Sequence, residues 1–151
     1  MSANQFVPDD FKIPALLKTD HFRLRMLSVD DVEKDYEAVI ESRELLHAMY
    51  GGPWPRIGFT LEENLTDLKR HEQEFLDRKA FAYTVVSLDE TKVLGCLYIN
   101  PPKTTGPDAV VTMWVRQTEY NKGLDEIVYN TVKNWINTDW PFRKVNYPGR
   151  V

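Results

Sequence analysis

The stretch from Asp108 to Trp140, DAVVTMWVRQTEYNKGLDEIVYNTVKNWINTDW, constrains the fold more than any other part of the chain. Ala109–Val115 is a run of β-branched and bulky apolar residues, the composition of a buried strand. Leu124, Ile127, Val128, Val132, Trp135 and Ile136 then recur at the i, i+3, i+4 spacing of an amphipathic helix. Between them the polar loop Arg116–Gly123 ends in Lys-Gly. A buried strand that passes through a short glycine turn into a helix leaves unpaired N–H groups at the helix start. With the helix dipole they form a ready anion site, most often for phosphate.

The rest of the chain supplies further helices and several further strands. Met1–Asp20, with Pro8 and Pro14, reads as an irregular arm. His21–Leu27 alternates apolar and polar residues and reads as a half-buried strand. Ser28 is placed as an N-cap with Asp31 at the capping-box position, and Val29, Val32, Tyr36, Val39 and Ile40 form the apolar face of the helix that follows. A second helical piece, Glu44–Met49, stops at Gly51-Gly52-Pro53. In the loop Tyr50–Phe59, Trp54 sits between two prolines and either walls a pocket or covers the core. Thr60-Leu61-Glu62-Glu63 is a capping box that opens a helix running to about Arg78-Lys79. Phe81–Ser87 and Val93–Ile99 form an antiparallel hairpin, Asn100–Pro107 is a loop, and Arg143–Tyr147 is a final strand. The expected fold is α/β in a single domain, a mixed, mostly antiparallel sheet flanked by helices in the order β-α-α-β-β-β-α-β.

Composition removes several functional classes. A net charge of −4 with both signs mixed along the chain argues against a nucleic-acid surface or a polybasic membrane patch. The N-terminus lacks the basic start and apolar core of a secretory signal, and no apolar run approaches membrane-spanning length. The single cysteine, Cys96, precludes an internal disulfide and suits a reducing, cytoplasmic compartment. His21, His47 and His71 lack metal-ligand spacing with Cys96 or with one another, so no metal is expected. Cys96, between Gly95 and Leu97, reads as a small buried apolar residue rather than a nucleophile.

This order of elements, with V-R-Q-T-E-Y-N-K-G-L-D at Val115–Asp125, resembles the GNAT superfamily of acyl-CoA-dependent N-acyltransferases over residues 21–147. The resemblance implies acetyl-CoA as cosubstrate and a small-molecule or peptidyl amine as acceptor. It implies direct attack of the amine on the thioester. The backbone of Met113, Trp114 and Val115 would polarise the acyl carbonyl, and Arg116, Asn121, Lys122, Gly123 and Leu124 would hold the CoA pyrophosphate. The family loop reads Q/R-x-x-G-x-G/A; here its positions are Tyr120, Gly123 and Asp125, and only Gly123 fits. Asp125 and Glu126 stabilise the dipole at the helix start but repel a pyrophosphate there.

The family normally continues past its fifth strand with a helix and two more strands, which often supply a tyrosine that protonates the leaving thiolate. This sequence stops at Val151, so no residue inherits that role by position, and Tyr129, Tyr98 and Tyr120 are the stand-ins. Glu119 is the candidate base, against a plain reading as a solvated loop carboxylate. An open sheet edge would be covered by the N-terminal arm or by a second subunit, which allows a homodimer. Two functions therefore stay open: an N-acetyltransferase, or a degenerate fold that binds a ligand or partner without acyl transfer.

Overall fold

A computed structural model describes residues 5–150. Its centre is one six-stranded sheet in sequence order, β1 (Leu16–Lys18), β2 (Arg23–Met26), β3 (Phe81–Val86), β4 (Val93–Asn100), β5 (Ala109–Val115) and β6 (Val145–Asn146). Neighbours pair antiparallel throughout except β5 and β6, which run parallel. The helices are α1 (Val32–Glu41), α2 (Arg43–Tyr50), α3 (Leu61–Leu76), α4 (Gln117–Asn121) and α5 (Leu124–Asp139).

Strand alternation divides the core into two faces. Phe81, Tyr83, Val85, Leu97, Ile99, Val111, Met113 and Val115 point toward Val128, Val132, Trp135 and Ile136 of α5, with Trp140 and Phe142 beyond it. Ala82, Val86, Cys96 and Trp114 point the other way, toward Ala38 and Val39 of α1, Leu46 of α2 and Leu68 of α3. Both faces are covered, which is why β3 is buried along its whole length and reads in sequence as a continuous apolar run.

Local chemistry sets most of the boundaries. Thr60 accepts the Glu63 N–H at 3.1 Å and caps α3. At Ser28 the expected capping box does not form. Its hydroxyl accepts from Asp30 N at 3.1 Å, a short 3-10 turn (Val29–Asp31) precedes α1, and the Asp31 carboxylate pairs with Arg25 at 2.7 and 2.8 Å. An ion pair to a guanidinium outcompetes a second cap contact. Two further elements correct the sequence reading. Part of the supposed irregular arm is strand β1, which covers the edge of β2, while residues 1–4 of that arm lie outside the described residues. The polar loop after β5 contains helix α4.

The β4–β5 pairing closes at Gly95. A Cβ there would lie 2.0 Å from the Trp114 carbonyl oxygen, so only glycine permits the approach.

Candidate active site

β5 and β6 are bonded over only two positions, Ala109 with Val145 and Val110 with Asn146. Beyond them β5 continues to Val115 while the segment after β6 turns through Tyr147 and Gly149. The pairing therefore ends after Val110, and Thr112 and Met113 of β5 border a gap lined on its other side by Pro148, Gly149 and Arg150. Arg150 reaches into this gap. It holds Asp125 at 2.5 and 3.0 Å and donates to the Met113 carbonyl at 3.1 Å. Asp125, read from sequence as a carboxylate that would repel a pyrophosphate, is thus neutralised from within the chain.

On the opposite face of the sheet lies a cavity of about 380 Å³. Asp35 from α1, Trp54 from the proline loop, His71 from α3 and Tyr98 from β4 line it, with Tyr50 and Thr112 on the side nearer the gap. A smaller recess inside the gap is lined by Met49, Met113, Pro148 and Arg150, and again by Tyr50 and Thr112. The two depressions therefore share a wall. Tyr50 and Thr112 both contribute to that wall, and burial of the phenol pushes its pKa up to about 12.

Asp35 is the most unusual group in the cavity. It is 3% exposed, accepts from Asn64 at 2.9 Å and from the Cys96 thiol at 3.5 Å, and has no cationic partner among the described residues. Burial raises its pKa to about 6, against the lowering effect of those two hydrogen bonds. His71 packs against the Tyr98 ring at 5.3 Å, and burial depresses its pKa to about 4, so it is neutral near pH 7. Trp54 stands edge-on to Tyr50 and Phe59, so its loop both walls the cavity and covers core. Cys96 is 1% exposed, and burial raises its thiol pKa, which leaves it inert as a nucleophile.

The residues singled out from sequence fall in several places. Met113, Trp114 and Val115 form the buried end of β5, with the Trp114 indole N–H donating to the Tyr98 hydroxyl at 3.1 Å. Arg116 turns inward rather than toward the gap. It is 4% exposed and donates to Glu41 at 2.7 and 3.2 Å, Glu37 at 2.9 Å and the Val93 carbonyl at 3.1 Å. A guanidinium held this way is not free for phosphate.

The amides of the following segment are also engaged. Gln117 N donates to the Ser42 hydroxyl and Thr118 N to Glu41, while Glu119, Tyr120, Lys122 and Gly123 N–H groups bond within the α4 turn. What faces outward is the Lys122 side chain, 72% exposed and 3.6 Å from Glu119, and Tyr120. Asn121 accepts from Gln117 at 2.8 Å, Leu124 is packed in the core, and Gly123 takes the left-handed conformation (φ 89°) that turns the chain into α5. Glu119 and Tyr129 do not line the cavity, and Tyr129 lies under Arg150 and beside Tyr147.

Asp35, Tyr50 and Arg150 were not anticipated. Asp35 had a signal, because a carboxylate sits inside the apolar stripe Val32–Tyr36–Val39. Tyr50 and Arg150 had none, since their roles depend on contacts with distant strands. Among the described residues no cluster of three or more His, Cys, Asp or Glu side chains could hold a metal ion. Among the described residues no helix is long and apolar enough to cross a membrane.

No protein-family model and no curated protein sequence matches the chain. Its structure is similar to that of the microcin C7 self-immunity acetyltransferase MccE in complex with acetyl-CoA and AMP, with a TM-score of 0.64 and 17% identity over 83% of this chain and 66% of that one. It is similar to the ribosomal-protein-S5-alanine acetyltransferase from Vibrio fischeri, with a TM-score of 0.63 and 18% identity over 82% and 67%. The ribosomal L7/L12 α-N-protein acetyltransferase RimL in complex with coenzyme A gives 0.57 and 17% over 74% and 59%. The chain spans about two thirds of the length of the structures it matches.

Proposed function

We propose that this chain, which has the GNAT acetyltransferase fold, is an acetyl-CoA-dependent N-acetyltransferase acting on an amine. One observation carries the reading. The gap between β5 and β6 and the cavity on the other face meet at a single wall, made by Tyr50 and Thr112. A thioester entering from one side and an amine from the other would come together there. Similar structures bind acetyl-CoA or coenzyme A on this fold.

The chemistry then follows from the groups present. The amine nitrogen attacks the thioester carbonyl, a C–N bond forms and the C–S bond breaks. The β5 backbone polarises the carbonyl oxygen. Asp35, Asp67 and His71 are the groups in the cavity able to accept the amine proton, with Asp35 the most buried of the carboxylates, and Tyr50, protonated at neutral pH, supplies a proton to the departing thiolate. Lys122 is the cation left on the surface near the start of α5 for the pyrophosphate. For acetyl-CoA to enter, the segment from Tyr147 to Arg150 must leave the gap. The test is thiol release from acetyl-CoA in the presence of small amines. Amine-dependent, saturable release that falls at least tenfold in Tyr50→Phe supports the reading, and release independent of amine overturns it.

A second reading has its own observation. With Arg150 bonded to Met113 and Asp125, and with the α4 amides engaged, the gap is filled and the loop is closed. A protein that keeps the fold and the cavity but binds without acyl transfer would look the same. It would bind amine and fail to release thiol.

A further inference from the structure

We infer that the Asp35 cavity is an ammonium site that takes a small primary amine, its charged head on Asp35 and its flat apolar body against Trp54, Tyr50 and Tyr98. The inference rests on the transferase reading for the fate of the amine but not for its binding.

A buried carboxylate is normally paired with a cation, because desolvating a lone charge is costly. Asp35 has only two hydrogen-bond donors, the Asn64 amide and a weak thiol. The neighbouring charges do not help it. Asp31 on the 3-10 turn and Asp67 on α3 are both acidic, and Asp31 is already held by Arg25. Arg70, the one cation in the cavity wall, stands 3.9 Å from Asp67 and 3.8 Å from Glu74. His71 is neutral near pH 7. Asp35 thus faces the cavity without a counter-ion among the described residues.

Its walls add the second half of an ammonium site. Aromatic faces attract cations and accept flat apolar bodies. The volume of about 380 Å³ suits a molecule the size of one aromatic amine rather than a folded segment. A phosphate or carboxylate ligand would be repelled by Asp35 and Asp67. A cation closes the charge balance, and a primary amine is a cation whose N–H groups can bond the Asp35 carboxylate while its body stays among the aromatic rings.

Calorimetric titration without any CoA tests this directly, with 2-phenylethylamine as probe and 2-phenylethanol as its neutral counterpart. At pH 7.5 the amine should bind at least tenfold more tightly than the alcohol. The preference should shrink about tenfold between pH 7 and pH 5 as Asp35 takes up a proton, and it should vanish in Asp35→Asn, whose folding is checked by thermal melting. Trp54→Ala should weaken amine and alcohol together. Equal affinity of the two probes for the wild-type protein, no binding of either, or a preference that survives in Asp35→Asn would overturn the inference. Binding of the amine without thiol release from acetyl-CoA would leave this site standing and overturn only the transferase reading.

Discussion

Arg150 grips Asp125 through two guanidinium nitrogens, at 2.5 and 3.0 Å, and one of them also reaches the Met113 carbonyl at 3.1 Å. The contact ties the segment after β6 to β5 and to the first turn of α5. It answers the charge that Asp125 places at the helix start, where a pyrophosphate would otherwise meet an unbalanced carboxylate.

Clearing that contact should open the gap. Arg150→Ala alone removes a partly buried bidentate pair and should lower stability by about 1–2 kcal/mol in urea titration. The double variant Arg150→Ala, Asp125→Ser removes the obstruction and the repulsive carboxylate together. It should bind acetyl-CoA roughly tenfold more tightly than the wild-type protein. Unchanged affinity would mean that the cosubstrate does not enter between β5 and β6.

Asp35→Asn should stabilise the protein at pH 8. The folded-state pKa of about 6 lies above the ordinary value of 3.8, so the fold favours the protonated form. Below about pH 4 the carboxyl is protonated folded or unfolded and carries no penalty. As pH rises through 6 it ionises in place, and the penalty of about 1–3 kcal/mol is then complete. The variant's advantage should therefore be present at pH 8 and absent at pH 4, read from thermal melts. A variant less stable than wild type at pH 8 would show that the charge is internally compensated.

Arg116 should prove structural. Arg116→Ala leaves Glu41 with only its Thr118 contacts, frees Glu37 and removes the bond to the buried Val93 carbonyl, which together should cost about 3 kcal/mol. Hydrogen bonding to Arg116 lowers the Glu41 pKa to about 2. That contribution is present above pH 4.5 and lost as pH falls toward 2. Glu41 faces water on one side, so screening holds it to about 1 kcal/mol. Melts between pH 4.5 and 2.5 should show that loss in wild type and not in Glu41→Gln.

Gly95→Ala should cost about 3 kcal/mol or more, because the added methyl cannot avoid the Trp114 carbonyl without breaking the β4–β5 pairing. Chemical denaturation measures it, and a cost under about 1 kcal/mol would show that β5 can shift.

The strands and long helices were readable from sequence because they rest on local rules. Alternation gave β2, apolar runs gave β3 to β5, and Thr60 with Glu63 marked the start of α3. The misread places share a different cause. The Asp31 carboxylate left its capping position for Arg25, and Lys18 and its neighbours became a strand only because β2 offered an edge. Likewise Arg116–Gly123 folded into α4 because Glu41 and Ser42 take its first amides. Each is a tertiary partner overriding a local preference. The site followed the same division. The strand–glycine–helix segment was visible, while Arg116 turned inward and Arg150 filled the gap through contacts that no spacing encodes. Asp35 lies between, since its place in an apolar stripe marks it as exceptional without naming its neighbours.

The most direct test of the central claim is thiol release from acetyl-CoA with 2-phenylethylamine as acceptor, for the wild-type protein and for Arg150→Ala, Asp125→Ser. Amine-dependent release that saturates in both ligands, is faster in the double variant and is lost in Tyr50→Phe is the expected result. Absence of amine-dependent release in both proteins at millimolar ligand, with the fold intact, would contradict the account.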